Sequence, residues 1–523
     1  MIHTKWIFTA LALLLTLGAC TDDDSTQADY SRVSDITISE LEKSYSVTAY
    51  LGEHLRITPT ITTKNSDDDM TYQWLLYSGK TGTVVNGDTI PPTVIANTRD
   101  LDYEVAMAPG AYQLRLLATD RQSGYTVYAT TDLSVSTSFS EGFYVLKETA
   151  DGNTELDQLT AKGMEAHNLL NKTDGSSLKG KPASIWPIYD IDYINPDDKS
   201  IAQTNALAIV TDDGDAIVKR TTDFRSVFDR NNLYYGKMDD SEKIYGFFAT
   251  DVGYHYLVTS SGLRYTTSTG KSTGQYGNPV NTVGGSAHIA CDITSYGSSM
   301  VWDEKAQSLM VTDYNGNASP LTFKDQSGEE LTQNLNGFSC RHIGYNLMNR
   351  KGTFTAVLSN GTKSYLYLVA PAFSGTFLSA RKQLSDDSHL AHATSISTCG
   401  NMAKYIYCID NGRLYAVNFA EDNLPENQLY PEGIPADETI NFVTNQYWQG
   451  QKSGGTNFDY LIVGTQKGNN YVLRFYEMNG GVPVGKPVKT ISGEGSVKMV
   501  RYVYTHFNTT DWQFFINAYS ITD

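Results

Sequence analysis

From residue 143 onward the chain alternates short apolar runs with polar positions, and each run breaks at a turn that contains glycine. An apolar strand, a glycine turn and a second strand recur seven times. The strands are residues 143–146 before Asp151-Gly152, 206–210 before Asp213-Gly214, 256–258 before Ser261-Gly262, 309–311 before Asn315-Gly316, 354–358 before Asn360-Gly361, 405–409 before Asn411-Gly412 and 460–463 before Lys467-Gly468. Glycine accepts the positive φ of a tight hairpin turn, and Asn or Asp ahead of it tolerates the same region. The turn glycines lie 45 to 62 residues apart, near the length of a four-stranded propeller blade. Aromatic-rich strands at 188–194, 442–448 and 499–507 are part of the same rhythm. The pattern predicts a β-propeller over 139–523 with seven blades, the degenerate repeat leaving six or eight open. The last strands, 498–507 and 512–519, have no glycine turn of their own and are expected to pair with the first hairpin near Phe143, removing open sheet edges.

Ahead of this region, residues 32–138 read as a small β-sandwich. Its strands are expected at 46–50, 54–62, 71–77, 102–107, 111–120 and 126–135, separated by turn clusters such as 65–69 and Pro109-Gly110. Trp74 sits where immunoglobulin-like sandwiches keep a buried tryptophan, and core packing is its expected role. The fold class is all-β: 43 Gly and 35 Tyr punctuate short runs, and amphipathic heptads are absent.

A chain of 523 residues is long for one core, in keeping with two or more domains. Its formal charge of −18 argues against nucleic acid or anionic lipid as a partner of the protein surface. Beyond Cys20, the cysteines are Cys291, Cys340, Cys399 and Cys408, with no CxxC pair and no dense framework. A bridge between Cys399 and Cys408 across neighbouring strands stays open, and buried free thiols are the favoured reading.

The amino terminus changes the picture. Lys5 precedes an apolar run at 7–17 that is too short to cross a bilayer permanently, so residues 1–19 read as an export signal. The run ends in Leu17-Gly18-Ala19-Cys20, which resembles a bacterial lipobox in which the cysteine thiol takes the lipid. Two or more acyl chains, at about 0.8 kcal/mol per buried methylene, would tether the mature chain at Cys20 without a spanning segment. Asp22, Asp23 and Asp24 follow directly and resemble the signal that sends Bacteroidota lipoproteins to the outer face of the outer membrane. Residues 20–31 are otherwise a polar, flexible linker.

Candidate chemistry is sparse. HExxH, CxxC and GxSxG are all missing, and the stretch 284–288 lacks the closing glycine of a nucleophile elbow. The acidic segment 313–317 alternates oxygens as a calcium loop does but has no downstream glutamate, so turn chemistry explains it better. No catalytic residue, metal site or cofactor is assigned. A carboxylate pair for glycoside cleavage would need two acids singled out, and nothing here picks two; catalysis is unsupported, not excluded. The aromatics are the more informative class: Trp186, Tyr189 and Tyr193 lie before one hairpin, and Tyr447 and Trp448 before another. Exposed at a propeller rim, such rings would stack on sugar or hold peptide side chains; the alternative is that they pack between blades.

Residues 109–115 followed by Ala118-Thr119-Asp120 are similar to the late strands of PKD domains. Together with the leader and the propeller-like region, they make the chain resemble the PKD-like family of Bacteroidota surface lipoproteins. That resemblance implies an accessory lipoprotein working beside a SusC-like transporter and a SusD-like lipoprotein, binding or handing over oligopeptide or glycan. The competing expectation is a surface propeller enzyme, a glycosidase, lyase or peptidase, that trims polymer before import.

Overall fold

The computed structural model describes residues 35–503 except 65, 67–68, 80, 86–87, 250–253, 268–271, 281–288, 292–298, 313–316, 322, 325–329, 332–334, 347–351, 373–374, 399–402 and 450–456. Cys20, Asp22, Asp23, Asp24, Cys399, the 284–288 stretch, most of the 313–317 segment and the expected strand 512–519 lie outside the described residues. The chain divides after Ser136 into two compact units.

In the first unit a five-stranded sheet runs in the order Ser44–Thr48, Thr126–Ser136, Gly110–Asp120, Met70–Tyr77, Thr93–Ala96. Alternation is plain in Gly110–Asp120, where Leu114, Leu116 and Ala118 are buried between half-exposed neighbours. Trp74 is fully buried and its Nε1 donates to the Arg99 carbonyl at 3.2 Å, so it packs the core as expected. The expected strand 54–62 is two strands, His54–Ile57 and Thr60–Thr62, which pair with Leu101–Glu104 and Thr37–Ser39 respectively. Pro59 lies between them; lacking an N–H, it interrupts the ladder and lets the chain change partners. Ile38 and Ile61 of the short ladder pack with Met70, Tyr72, Ala118 and Val127 of the large sheet.

The second unit is propeller-like. Every one of the seven expected hairpins is present as an antiparallel pair, from Gly142–Glu148 with Thr154–Thr160 to Asn457–Lys467 with Asn470–Asn479. The Asp410-Asn411-Gly412-Arg413 turn shows why the sequence marks them: Asn411 and Gly412 hold φ of 49° and 72°, the two positive values that a tight hairpin requires. The Asn315-Gly316 turn lies outside the described residues, but the strands flanking it, Ser308–Thr312 and Ala318–Pro320, pair.

Six of the sheets open on a leading strand ahead of the hairpin: Pro182–Ile194, Ile244–Ala249, Ile289–Cys291, Ser339–Asn346, Ser395–Thr398 and Thr439–Gln449; in the sheet of Ile289–Cys291 a further strand, Ser299–Asp303, intervenes, so the expected Asn315-Gly316 hairpin joins its third and fourth strands. The first hairpin receives its counterpart from the other end of the chain, since Ser496–Val503 pairs antiparallel with Gly142–Glu148. These seven leading strands lie side by side in chain order, and Ser496–Val503 sits between Thr439–Gln449 and Pro182–Ile194, so the succession closes on itself. Apolar clusters fill the gaps between consecutive sheets, with Phe143, Val145, Phe475 and Tyr502 joining the last sheet to the first.

Two short helices were not visible in the sequence pattern. In Leu169–Asp174 the buried Glu155 carboxylate accepts from Leu170 N at 2.7 Å and Asn171 N at 3.0 Å, satisfying amides the helix itself leaves open. In His389–His392 the Ser388 side chain plays that part, accepting from Ala391 N. Cys408 is a buried free thiol whose pKa is pushed up by burial, then by Glu426 and Asp410. Cys340 is also buried, with Sγ 3.6 Å from the His342 carbonyl oxygen.

Candidate functional site

The leading strands of the second unit meet around a common centre, and their side chains are where a site would form. Trp186, from Pro182–Ile194, is 1% exposed, and the guanidinium of Arg501, itself buried, stands 5.9 Å from its ring centroid. Tyr189 and Tyr193 are buried as well, and the Tyr193 hydroxyl accepts from Arg220 Nη1 at 2.7 Å. Tyr447 joins the apolar cluster that holds Trp302, Tyr345 and Phe354. The side chain of Trp448 lies outside the described residues. The expectation of exposed stacking rings is therefore corrected for these four aromatics. Sheets that fan out from a centre leave wedges between them, and large side chains fill those wedges.

What the leading strands share is a polar seam. Ser395 and Ser397 alternate on their strand and accept N–H bonds from Val443 at 3.2 Å and Asn445 at 2.9 Å on the next. Neighbouring sheets have no ladder between them, and the serine hydroxyls take the place of the missing carbonyls. One sheet earlier the fully buried His342 places Nε2 2.8 Å from Thr398 Oγ1, which also meets Thr355 Oγ1 at 2.7 Å. Gly344 makes room for this cluster: a Cβ there would lie 2.1 Å from Thr398 Oγ1. Further round, Gln446 Oε1 accepts from Tyr502 N at 3.4 Å.

Asp459 stands apart within this seam. Its Oδ1 accepts from Asn445 Nδ2 at 2.8 Å, while its Oδ2 is buried with no hydrogen-bond partner. Burial pushes its pKa up to about 6 against the lowering effect of Asn445.

Other acids are engaged in the framework. Glu242 meets Arg264 Nη2 at 3.0 and 3.1 Å and accepts from Thr259 Oγ1 at 2.6 Å; burial raises its pKa, but Ser261, Thr259 and Arg264 together hold it low. The seventh sheet repeats the arrangement, Glu438 accepting from Thr465 Oγ1 at 2.5 Å and pairing with Arg474 Nη2 at 2.8 Å. In both, an acid just ahead of the leading strand reaches a threonine on the second strand and an arginine on the third. Between the last and first sheets, buried Asp157 accepts from Lys147 Nζ at 2.7 Å and Tyr471 Oη at 2.5 Å, with His167 Nδ1 at 3.2 Å. Among the described residues no group of three or more His, Cys, Asp or Glu is placed to hold a metal ion.

The seam thus offers hydroxyls and amides fixed by one another, and one carboxyl able to change charge near pH 6. The Ser395-Ile396-Ser397 alternation was a readable signal of strand-edge chemistry. Nothing local marked Asp459, His342 or Arg501, whose partners come from other sheets.

The model of the PKD-like family matches residues 20–182. No curated protein matches the chain in sequence. Among solved structures, the chain is similar to a quinoprotein alcohol dehydrogenase-like protein from Bacteroides thetaiotaomicron, at 13% identity over 87% of this chain and 96% of that one, with a TM-score of 0.44. It is similar to an auxiliary nutrient binding protein of the same organism at 10% identity, over 82% of this chain and 94% of that one, with a TM-score of 0.31. A virginiamycin B lyase from Staphylococcus aureus is similar at 12% identity, over 62% and 92% of the two chains, with a TM-score of 0.32.

Proposed function

We propose that the chain is a lipid-anchored protein on the outside of the outer membrane, serving as a non-catalytic accessory subunit of a SusC/SusD-type, TonB-dependent uptake system and binding or handing over oligopeptide or glycan. The observation that carries this reading is the leader: an apolar run ending in Leu17-Gly18-Ala19-Cys20, then Asp22, Asp23 and Asp24. In the same reading, residues 1–19 are a signal peptide, 20–31 a leash, 32–138 an immunoglobulin-like PKD module and 139–523 a seven-bladed propeller closed by Ser496–Val503. The acids Glu155, Asp157, Glu242 and Glu438 support a scaffold role, because each is bound to framework donors and not held in reserve for proton transfer. A ring of sheets so fixed presents its loops to partners.

A second reading, a surface propeller enzyme that trims polymer, is favoured by one observation. Asp459 combines a half-satisfied carboxyl with a pKa near that of a general acid.

The test is affinity purification of the tagged chain from outer membranes solubilised in mild detergent. Transporter and SusD-like partners are expected to copurify; a protein that always purifies alone would contradict the proposal. Incubation with polysaccharides and protein digests separates the second reading, since turnover would displace the first.

A further inference from the structure

The stretch where one unit gives way to the next, Ser136-Thr137-Ser138-Phe139-Ser140-Glu141, has the composition of a polar linker. Its contacts are those of a folded element. Ser136 ends the strand Thr126–Ser136 and is fixed within the first unit, its carbonyl accepting from Ala49 N at 2.9 Å and its Oγ donating to the Val47 carbonyl at 3.3 Å. The next residue is already fixed within the second unit, where Thr137 Oγ1 donates to the Thr222 carbonyl at 2.6 Å. A flexible leash needs residues free of contacts to give it reach, and none is left over here.

From Ser138 to Glu141 the second unit holds the chain by its backbone and by one ring. Gln158 Nε2 donates to the Ser138 carbonyl at 3.0 Å and to the Glu141 carbonyl at 3.3 Å, and the Tyr144 hydroxyl donates to the Phe139 carbonyl at 2.5 Å. Carbonyls that a linker would leave to water are thus taken up by side chains of the first hairpin. The Phe139 ring is 0% exposed and lies 5.0 Å, centroid to centroid, from Phe224, which is itself buried and stacks in parallel with Tyr144 at 6.2 Å. At the far end the Tyr502 hydroxyl donates to Glu141 Oε1 at 2.7 Å. The segment therefore touches the first hairpin, the turn between Ala216–Arg220 and Ser226–Asp229, and the closing strand Ser496–Val503.

We propose that residues 137–141 are a strap of the second unit, plugged by Phe139, and that this strap stands in place of a flexible linker, the freedom of the connection being confined to the backbone dihedrals of Ser136 and Thr137. The device matters to a chain of two units, because exposed polar connections are where proteases nick first. With the strap seated, cleavage waits for Phe139 to leave its pocket, so the junction is cut only as often as the strap opens. The inference goes beyond the proposed uptake role and stands or falls independently of the anchor and of any partner.

The experiment is limited proteolysis of the purified full chain with proteinase K under native conditions, the cut sites being read by mass spectrometry. The native chain is compared with Phe139→Ala and with a chain carrying Gly-Ser-Gly-Ser between Ser136 and Thr137. The native chain should resist cutting at 137–141, and Phe139→Ala should be cut there about tenfold faster or more. The insertion chain should be cut within the inserted residues while 137–141 stays intact, because the contacts of the strap lie in the second unit. Ready cleavage at 137–141 in the native chain or in the insertion chain would overturn the proposal, as would unchanged protection in a folded Phe139→Ala. Should Phe139→Ala lose its melting transition, the insertion chain decides alone, since it leaves every strap contact in place.

Discussion

Tyr471 donates a 2.5 Å hydrogen bond to the carboxylate of Asp157, joining residues 314 positions apart in sequence. Lys147 Nζ reaches the same carboxylate at 2.7 Å, and both members of this ion pair are almost wholly buried. The backbone of Gly493, opposite Tyr471 in the ladder, leaves the space: a Cβ there would stand 2.7 Å from Asp157 Oδ2. Burial and then Asp157 raise the Tyr471 pKa, so the phenol stays a donor at any physiological pH. This cluster fastens the last sheet to the first, beside the pairing of Ser496–Val503 with Gly142–Glu148.

Removing either partner should therefore weaken ring closure unequally. Tyr471→Phe deletes one donor and is expected to cost about 1–3 kcal/mol. Asp157→Ala strands the buried Lys147 ammonium and should cost about 3–5 kcal/mol. Urea unfolding of the two variants measures the difference; equal, negligible losses would mean that the cluster does not hold the ring.

The same cluster makes stability depend on pH. The His167 pKa is raised, chiefly by its bond to Asp157 and then by the charges of Asp157 and Glu165, which outweigh its burial. A histidine raised in the folded state contributes fully below its unfolded pKa of 6.5, and that contribution fades as pH rises through the folded value. The melting temperature of the native chain should fall more than that of His167→Gln as pH is raised from about 6 to 8. Parallel curves would contradict the assignment.

Asp459 predicts a second, lower window. Its folded pKa of about 6 lies above the ordinary 3.8, so ionisation favours the unfolded chain and stability drops as pH rises between those values. Asp459→Asn removes that drop. Relative to the native chain, the variant should gain about 2 kcal/mol between pH 4 and pH 7, read from denaturant midpoints at both pH values.

Trp186 separates packing from binding. Fully buried against Arg501, it should cost about 3–5 kcal/mol on replacement by alanine, measured by chemical unfolding. A variant of native stability that lost only ligand binding would restore the exposed-ring expectation.

The hairpins were legible because each writes itself locally: an apolar run, then Asn or Asp with Gly where the backbone needs positive φ. The partnership of Ser496–Val503 with the first hairpin followed from the need to cover an edge. Short, exposed strands such as Thr37–Ser39 and Thr93–Ala96 were missed because half their residues face water and leave no apolar run. The break at Pro59 is written in its missing N–H, although the apolar alternation of 54–62 runs through it as in a single strand. The seam residues escaped for a different reason. Asp157 and Tyr471, or His342 and Thr398, have no shared motif; only the fold brings them together. The aromatics showed the reverse: Trp186 and Tyr193 were visible as large side chains, but which way they faced depended on the neighbouring sheet.

The central claim is that the chain works from a membrane surface, and the mass of its amino-terminal peptide from the native host tests it most directly. Residues 1–19 should be gone and Cys20 should carry diacylglyceryl and acyl groups. An unmodified Cys20 thiol would contradict the account.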